Sequence, residues 1–187
     1  MHKPTDSPRW WWGALGAGLV TGALGGLALW AHVPALIPSL GPSIIMQCYL
    51  PFSPNARPYQ LMVGQLLGIG AGLIAVSLTG TGHLPSELAS GALSPGQAMA
   101  AVVGVMLTLL AQVAAGAIHP PGASTALLFA VGSIRPNLEG ISTVIWGILL
   151  VGIFGEGVRR WQAANMRREI RRTTTPGHTD HPKPHDG

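Results

Sequence analysis

Charged side chains are scarce in this 187-residue chain, where they make up 10% of the residues against about 25% in typical soluble domains. Between Arg9 and Glu156 only four occur: Arg57, Glu87, Arg135 and Glu139. Such a long stretch with so few charges excludes an ordinary soluble domain and indicates helices embedded in a lipid bilayer. The length suits one membrane domain, which we place at residues 11–161.

The chain also lacks the residue patterns of enzymes. It has no nucleophile elbow, no phosphate-binding loop, no pair of metal ligands on a long helix and no paired carboxylates, since Glu87 and Glu139 both fall in predicted loops. Its single cysteine, Cys48, excludes a disulfide within the chain. We therefore expect no enzymatic activity, no catalytic residue, no cofactor and no bound metal.

Positive charge is concentrated at the two ends of the chain, which carries a net charge of +4. Six arginines follow the last apolar segment: Arg159, Arg160, Arg167, Arg168, Arg171 and Arg172. Basic clusters can bind nucleic acid, but one that directly follows an apolar segment is typical of the cytoplasmic flank of a membrane span. We therefore expect no nucleic-acid partner. The expected location is a bacterial inner membrane, with both termini in the cytoplasm.

Outside the membrane domain we expect a short N-terminal segment at residues 1–10 and a basic cytoplasmic tail at residues 162–187. The tail is rich in Pro, Thr, Lys and His from Thr173 onward, a composition typical of disorder.

Four apolar segments are long enough to cross the bilayer as helices, which takes about 20 residues each. They are residues 11–30, 59–78, 97–117 and 141–158. Tryptophans bracket the first segment and prolines precede the second and third, as expected of interfacial anchors and helix starts. The predicted fold class is therefore an all-α membrane protein with four long transmembrane helices.

Two shorter apolar stretches, residues 35–52 and 120–134, resemble one another. Residues 38–43 (PSLGPS) align with residues 120–125 (PPGAST), and an Arg-Pro pair follows each stretch before the next long segment. The recurrence of the same elements in the same order predicts a tandem internal repeat, in which each unit contains a proline-broken, re-entrant half-helix. The two units are residues 11–78 and residues 97–158.

The number of full crossings is four or six, because both termini are expected on one side. Four crossings with two re-entrant segments would put Arg57 and Arg135 outside, whereas six would put Arg57 inside and relate the halves by inversion. The distribution of basic residues slightly favours six. We prefer four, because residues 120–134 are too few to span well.

A helix-breaking cluster, His119-Pro120-Pro121-Gly122, lies inside a run of 47 residues, 88–134, that contains no Asp, Glu, Lys or Arg. Two successive prolines cannot continue a helix. Non-helical backbone persists at membrane depth only where protein buries it or where it lines a water-filled cavity. The break therefore indicates a site for transport or ion binding.

Three segments of the chain, residues 119–127 (HPPGASTAL), 39–43 (SLGPS) and 53–58 (SPNARP), form a pattern that resembles a known family. The pattern is similar to that of the HPP family of small integral membrane proteins, which is named for its His-Pro-Pro tripeptide. The resemblance implies a four-helix membrane protein and, as in some members, nitrite transport. Two residues depart from the family pattern: Gln65 stands where a histidine is expected, and Pro42 where a small residue is expected.

The residues at the two breaks have the chemistry of a small-anion site. Backbone N–H groups that follow the prolines are free to point the positive end of the helix dipole into a cavity, and nearby hydroxyls add donors if the two half-helices meet. The alternative is that the prolines only kink a helix and the hydroxyls bond their own backbone. The candidate substrate-binding residues here are Gly41, Ser43, His119, Pro120, Pro121, Gly122, Ala123, Ser124 and Thr125.

Three polar side chains inside the apolar region have two interpretations each. His119 is suited to proton handling beside an anion, since its unperturbed pKa is near 6.5, or it donates to a backbone carbonyl that the prolines expose. Gln65 and Gln112 fall within the second and third long segments. They are candidate site residues if they line a cavity, and otherwise they form hydrogen bonds between helices.

Glycines at four-residue spacing predict close helix packing, within one subunit or between subunits. They form two triplets: Gly18, Gly22 and Gly26 in the first segment, and Gly64, Gly68 and Gly72 in the second. Because four helices can hardly enclose a pore alone, we expect a homo-oligomer. Two functions remain open: a transporter or channel for a small monovalent anion, nitrite by resemblance, or a non-transporting membrane scaffold. A water-filled cavity that reaches His119 favours the first, and a dry packed interior the second.

Overall fold

The computed structural model describes residues 10–32 and 36–174. Within these ranges it contains seven α-helices and no strand. The helices are α1 (Trp10–Ala31), α2 (Leu40–Tyr49), α3 (Pro58–Thr79), α4 (Glu87–Ser90), α5 (Pro95–Ala114), α6 (Pro121–Ala130) and α7 (Leu138–Thr174). The predicted all-α fold is therefore confirmed for the described part of the chain.

The four long helices correspond to the four predicted spans. In α1, α3, α5 and the Leu138–Arg168 part of α7, length and apolar composition suffice to cross a bilayer. The last helix continues well beyond the predicted span, because no glycine or proline follows Gly157 until Pro176 and the sequence is rich in good helix formers. Residues 162–174, predicted as tail, are therefore helical, whereas residues 175–187 and 1–9 lie outside the described residues.

Prolines and glycines set the helix boundaries as their backbone preferences require. Helices α3, α5 and α6 each have proline at the first helical position, where its missing N–H costs nothing. Helix α5 ends at Ala114, three residues before the predicted end, since Gly116 takes the left-handed conformation with φ of 59°. The break before α6 is therefore longer than predicted, from Ala115 to Pro120.

One end of the helix bundle, called here the arginine-rich end, gathers the start of α1, the chain after α2 and the later part of α7. Gln162 Nε2 donates to the carbonyl of Trp12 at 2.8 Å, and Arg159 Nη1 donates to the carbonyl of Pro51 at 2.9 Å. The guanidinium of Arg167 lies 5.7 Å from the centre of the Phe52 ring. These contacts place the start of α1 and the later part of α7 at the same end, as an even number of crossings requires.

The opposite end, called here the far end, gathers the chain before α2 and the chain before α7. One cavity there is lined by residues 36–38 and 133–135 together with Asn137. The end of α3 reaches the same place, because a Cβ added at Gly82 would lie 3.1 Å from the Pro136 side chain. Arg135 is therefore at the far end, while Arg57 follows Pro51 and Phe52 closely and lies toward the arginine-rich end.

The chain around each short helix leads from one end of the bundle to the other. Residues 36–38 before α2 lie at the far-end cavity, and the last residue of α2, Tyr49, contacts Gly13 near the start of α1. Helix α6 runs parallel to α3, because Gly68 faces Gly122 and Gly72 faces Ala126. A re-entrant segment would return to the end it left, so the structure does not confirm the re-entrant part of the prediction.

The two halves consequently have inverted directions. Helices α1, α2 and α3 run to the far end, back, and to the far end again, whereas α5, α6 and α7 run the opposite way. Each short helix covers only about 15 Å, since it has 10 residues that rise about 1.5 Å each. The non-helical residues before it, among them 36–39 and 115–120, carry the chain through the rest of the bundle, so a helix too short to span still connects both ends.

The two glycine triplets have different surroundings. Gly64, Gly68 and Gly72 bring α3 against the break and α6 inside one subunit, so packing through this face is confirmed. Nothing in the described structure lies within 4 Å of a Cβ added at Gly18, Gly22 or Gly26, and all three are exposed. The α1 triplet therefore does not pack within the subunit.

Candidate functional site

The two chain breaks have the same local backbone structure. At each break, two successive N–H groups at the start of the short helix donate to the carbonyls three residues before them. The four bonds are Leu40 to Ile37 (2.9 Å), Gly41 to Pro38 (3.3 Å), Gly122 to His119 (2.9 Å) and Ala123 to Pro120 (3.0 Å). They pair the same positions that the sequence repeat aligned.

These bonds change the expected anion site. The N–H groups of Gly41, Gly122 and Ala123 were predicted to face an anion, but in the structure each is used by its own turn. The start of α6 is also packed, because a Cβ added at Gly122 would collide with the carbonyl oxygen of Gly64 and lie 2.5 Å from Gln112 Nε2. An anion at this helix start would have to replace the hydrogen bonds of the turn, and an anion site there stays a prediction.

Five polar side chains instead meet where the two short helices begin. This polar cluster consists of Ser39, Ser43, Gln65, His119 and Thr125, and no member is more than 1% exposed. Ser39 and Ser43 come from the start of α2, Gln65 from α3, His119 from the second break and Thr125 from α6. Ser43 and Thr125 occupy equivalent positions of the repeat. Four of the five are residues that the sequence analysis named as candidates.

The hydrogen bonds of His119 determine its tautomer. Nδ1 lies 3.1 Å from the carbonyl oxygen of Asn55, which can only accept, so Nδ1 carries the hydrogen. In the neutral ring Nε2 is then an acceptor, and the Ser43 hydroxyl, 2.8 Å away, donates to it. The imidazole thus joins α2 to the turn at Pro54–Ala56. This contact with a carbonyl matches one of the two roles weighed for His119.

Gln65 joins the two short helices through its amide. Its Nε2 donates to Ser43 Oγ at 3.1 Å and approaches the Ser39 carbonyl at 3.4 Å, while its Oε1 accepts from the Thr125 hydroxyl. Thr125 Oγ1 is also 2.9 Å from Ser39 Oγ. The single Thr125 hydroxyl hydrogen is directed between Gln65 Oε1 and Ser39 Oγ, both of which accept. The cluster is therefore one connected hydrogen-bond network.

Gln112 holds the backbone of the break. Its Oε1 accepts from the His119 N–H at 3.0 Å, and its Nε2 donates to the carbonyls of His119 (2.9 Å) and Gly64 (3.1 Å). All of its hydrogen-bonding groups are thereby engaged with backbone. Hydrogen bonding between helices, one of the two interpretations of Gln112, is what the structure shows. The other candidates, Pro120, Pro121 and Ser124, shape the turn and the first turn of α6.

A cavity of about 480 Å³ at the far end leads toward the polar cluster. Ile37 and Pro38, which immediately precede Ser39, are among its lining residues, and Arg135 and Glu139 line it from the other half. It stops short of His119, which is fully buried. The sequence contained the Arg-Pro signal for Arg135 but nothing that placed this residue beside the first break.

Comparison with known proteins identifies the family. The sequence model described as HPP, transmembrane region, matches residues 2–166. The chain belongs to this family. Searches of curated proteins and of solved structures found no match. In this HPP protein the signature tripeptide, His119-Pro120-Pro121, forms the second break itself, and its histidine is the ring at the centre of the network.

Sequence reasoning missed two participants in this HPP site. Ser39 lies within the segment that was aligned with the second break, but only the position of Ser43 was recognised as a donor. Asn55 contributes its backbone carbonyl, a group that every residue has, so no sequence signal could have identified it.

Proposed function

We propose that this protein transports a small monovalent anion across the bacterial cytoplasmic membrane, with nitrite as the substrate that the family resemblance implies. The observation that carries the proposal is the polar cluster, which lies where two broken helices begin, in halves of inverted direction. Many transporters bind substrate at the interface of such repeats. Polar groups buried at membrane depth are costly, and they usually mark a pathway.

The cluster has the chemistry to bind a singly charged anion and release it again. Its groups are hydroxyls, one primary amide and one imidazole, and it contains no carboxylate that would repel an anion. Each donor contributes modestly, about 0.5 to 1.5 kcal/mol. In the structure these donors bond one another, so an anion would exchange places with internal hydrogen bonds. We interpret the arrangement as the closed state of the site.

Protonation of His119 would couple a proton to the anion. In the neutral network the Ser43 hydroxyl donates to Nε2. Once Nε2 carries a hydrogen it must donate to Ser43 Oγ, which already accepts from Gln65. The Ser43 hydrogen then turns to a new acceptor, and an anion oxygen is suited to that place. A proton on His119 therefore supplies both positive charge and a free donor.

The far-end cavity is the proposed access to the cluster from outside. Arg135 provides a positive charge at its wall, although Glu139 lines the same cavity and reduces the attraction. Pro38, which lines the cavity, directly precedes Ser39 of the polar cluster. The break before α2 would have to move by a small distance to connect the two.

Anion flux into liposomes that contain the purified protein tests the proposal, with nitrite, nitrate, formate and chloride compared. Thr125→Val keeps the shape of the side chain and removes one donor, so nitrite flux should fall by about three- to tenfold. Thr108→Val is the matched control, because Thr108 is equally buried but bonds only the Gly104 carbonyl of its own helix. Absence of flux for all four anions would contradict the proposal.

A non-transporting scaffold is the second candidate, and the packed interior around His119 is the observation in its favour. The exposed Gly18, Gly22 and Gly26 face of α1 allows close approach of another helix, and we propose that it joins subunits in a homo-oligomer. The scaffold predicts oligomers with no flux, whereas the transporter predicts both.

A further inference from the structure

Helix α2 carries a row of polar groups along its buried side. Ser39, Ser43 and Gln47 follow one another at four-residue intervals, which places them on one face about 6 Å apart, and Pro51 lies two residues after the end of the helix. The first two belong to the polar cluster. The carbonyl of Pro51 accepts a hydrogen bond from Arg159 at the arginine-rich end. The row thus runs from the cluster to the end of the bundle opposite the far-end cavity.

Gln47 differs from the other members of the row because its amide has no partner. Its side chain is 0% exposed, and neither Nε2 nor Oε1 makes a hydrogen bond. A buried amide without partners is costly, and leucine or methionine would fill the same space without that cost. Its neighbours in the cluster, by contrast, are fully paired. The Gln47 amide is therefore free to donate to a small polar ligand.

The surroundings of Gln47 allow close contact with α7. Its amide lies on the backbone of Gly155, where an added Cβ would be 2.7 Å from Cδ and 3.3 Å from Nε2 and would collide with Oε1. Only glycine leaves room for the amide at this position. One helical turn further along α7 is Arg159, whose guanidinium bonds the Pro51 carbonyl that follows α2.

The charge at this end suits an anion. Arg159 is partly buried, with 18% of its side chain exposed, and it bonds Glu156 at 2.6 and 2.7 Å. Glu156 also accepts from Arg160 at 2.6 Å, a side chain that is 75% exposed. Two guanidinium groups and one carboxylate leave a net positive charge where the row reaches the end of the bundle.

We propose that Gln47 is a second binding site for the transported anion, between the polar cluster and Arg159. The inference rests on the proposed function and adds the route to the arginine-rich end: from Ser43 to Gln47, and from there along α2 and α7 to Arg159. Each step is about one helical turn, or about 5 Å. Over that distance a small anion can bind the next donor soon after it leaves the previous one. The amide of Gln47 donates to the anion in passage.

The test uses the variants Gln47→Leu and Gln47→Met. Nitrite flux is measured in liposomes, and thermal stability is measured in detergent. Both variants should fold, with melting temperatures equal to or above wild type because an unpaired amide is gone. Maximal flux should fall about tenfold, because one good donor on the route is lost. The half-saturating nitrite concentration should stay the same, because the polar cluster is intact. Gln47→Asn, which keeps an amide, should recover part of the flux.

Gln60→Leu is the matched control, since Gln60 is also a partly unpaired glutamine near the arginine-rich end, on α3 and outside the row. It should leave maximal flux unchanged. Wild-type flux together with unchanged flux in folded Gln47→Leu and Gln47→Met would overturn the Gln47 site and leave the proposed function in place. No flux in the wild-type protein would overturn both.

Discussion

The close approach of α3 to α6 makes a sharp prediction for Gly68. An added Cβ at Gly68 would collide with the carbonyl oxygen of Gly122 and lie 2.8 Å and 3.1 Å from its carbonyl carbon and Cα. All three are backbone atoms, so no side chain can rotate to make room. Gly68→Ala must therefore push α6 away from α3 and move Thr125 with it.

Gly70→Ala is the matched variant, because it lies on the same helix with nothing within 4 Å of the added Cβ. Both substitutions gain the same helix propensity, up to about 1 kcal/mol, so their difference isolates the clash. Overpacking in a close-packed interior costs about 1 to 3 kcal/mol. For a chain of this size that corresponds to a melting temperature about 3 to 10 °C lower for Gly68→Ala than for Gly70→Ala.

The measurement is thermal unfolding of the two purified variants in detergent, followed by the loss of the folded species in size-exclusion chromatography. Nitrite flux through Gly68→Ala should fall as well, since the cluster is displaced. Equal melting temperatures and equal flux for the two variants would show that α3 and α6 do not approach this closely, and the described position of the break would be wrong.

Three further predictions concern the proton, the topology and the assembly. His119→Ala should flatten the pH dependence of flux, because it removes the only titratable side chain of the polar cluster; an unchanged profile would remove the proton role. Arg57→Cys, in a Cys48→Ser background, should react with impermeant reagent only from the side of the C-terminal tail, and labelling only from the other side would restore the re-entrant arrangement. Gly22→Leu should reduce the oligomer to smaller species without lowering the stability of the subunit; unchanged size would assign the α1 face to lipid.

The number and approximate positions of the four long apolar helices were predicted correctly from the sequence. Long stretches without charge can be stable only in lipid, and about 20 apolar residues are needed to cross it, so four spans could be located from composition alone. Proline cannot donate a hydrogen bond or continue a helix, which is why the break before α6 was predicted at His119-Pro120-Pro121-Gly122. The end of α5 was missed because alanine, glycine and isoleucine at residues 115–118 do not by themselves stop a helix.

The composition of the polar cluster was partly predictable. His119, Gln65, Ser43 and Thr125 stand out because polar side chains are rare in apolar segments. Their mutual contacts were not predictable, since Gln65 could have faced any neighbour of α3. Gln47 was overlooked: only the fold shows that it is buried without a partner.

Local composition and the backbone limits of proline and glycine were enough to predict which segments lie in the membrane, where the helices break and which family the chain resembles. The direction of the two short helices, the end at which Arg57 lies and the pairing of donors around His119 depend on tertiary packing. A 10-residue apolar helix looks the same in sequence whether it returns or continues. Only its packing, here Gly68 of α3 against Gly122, settles the direction.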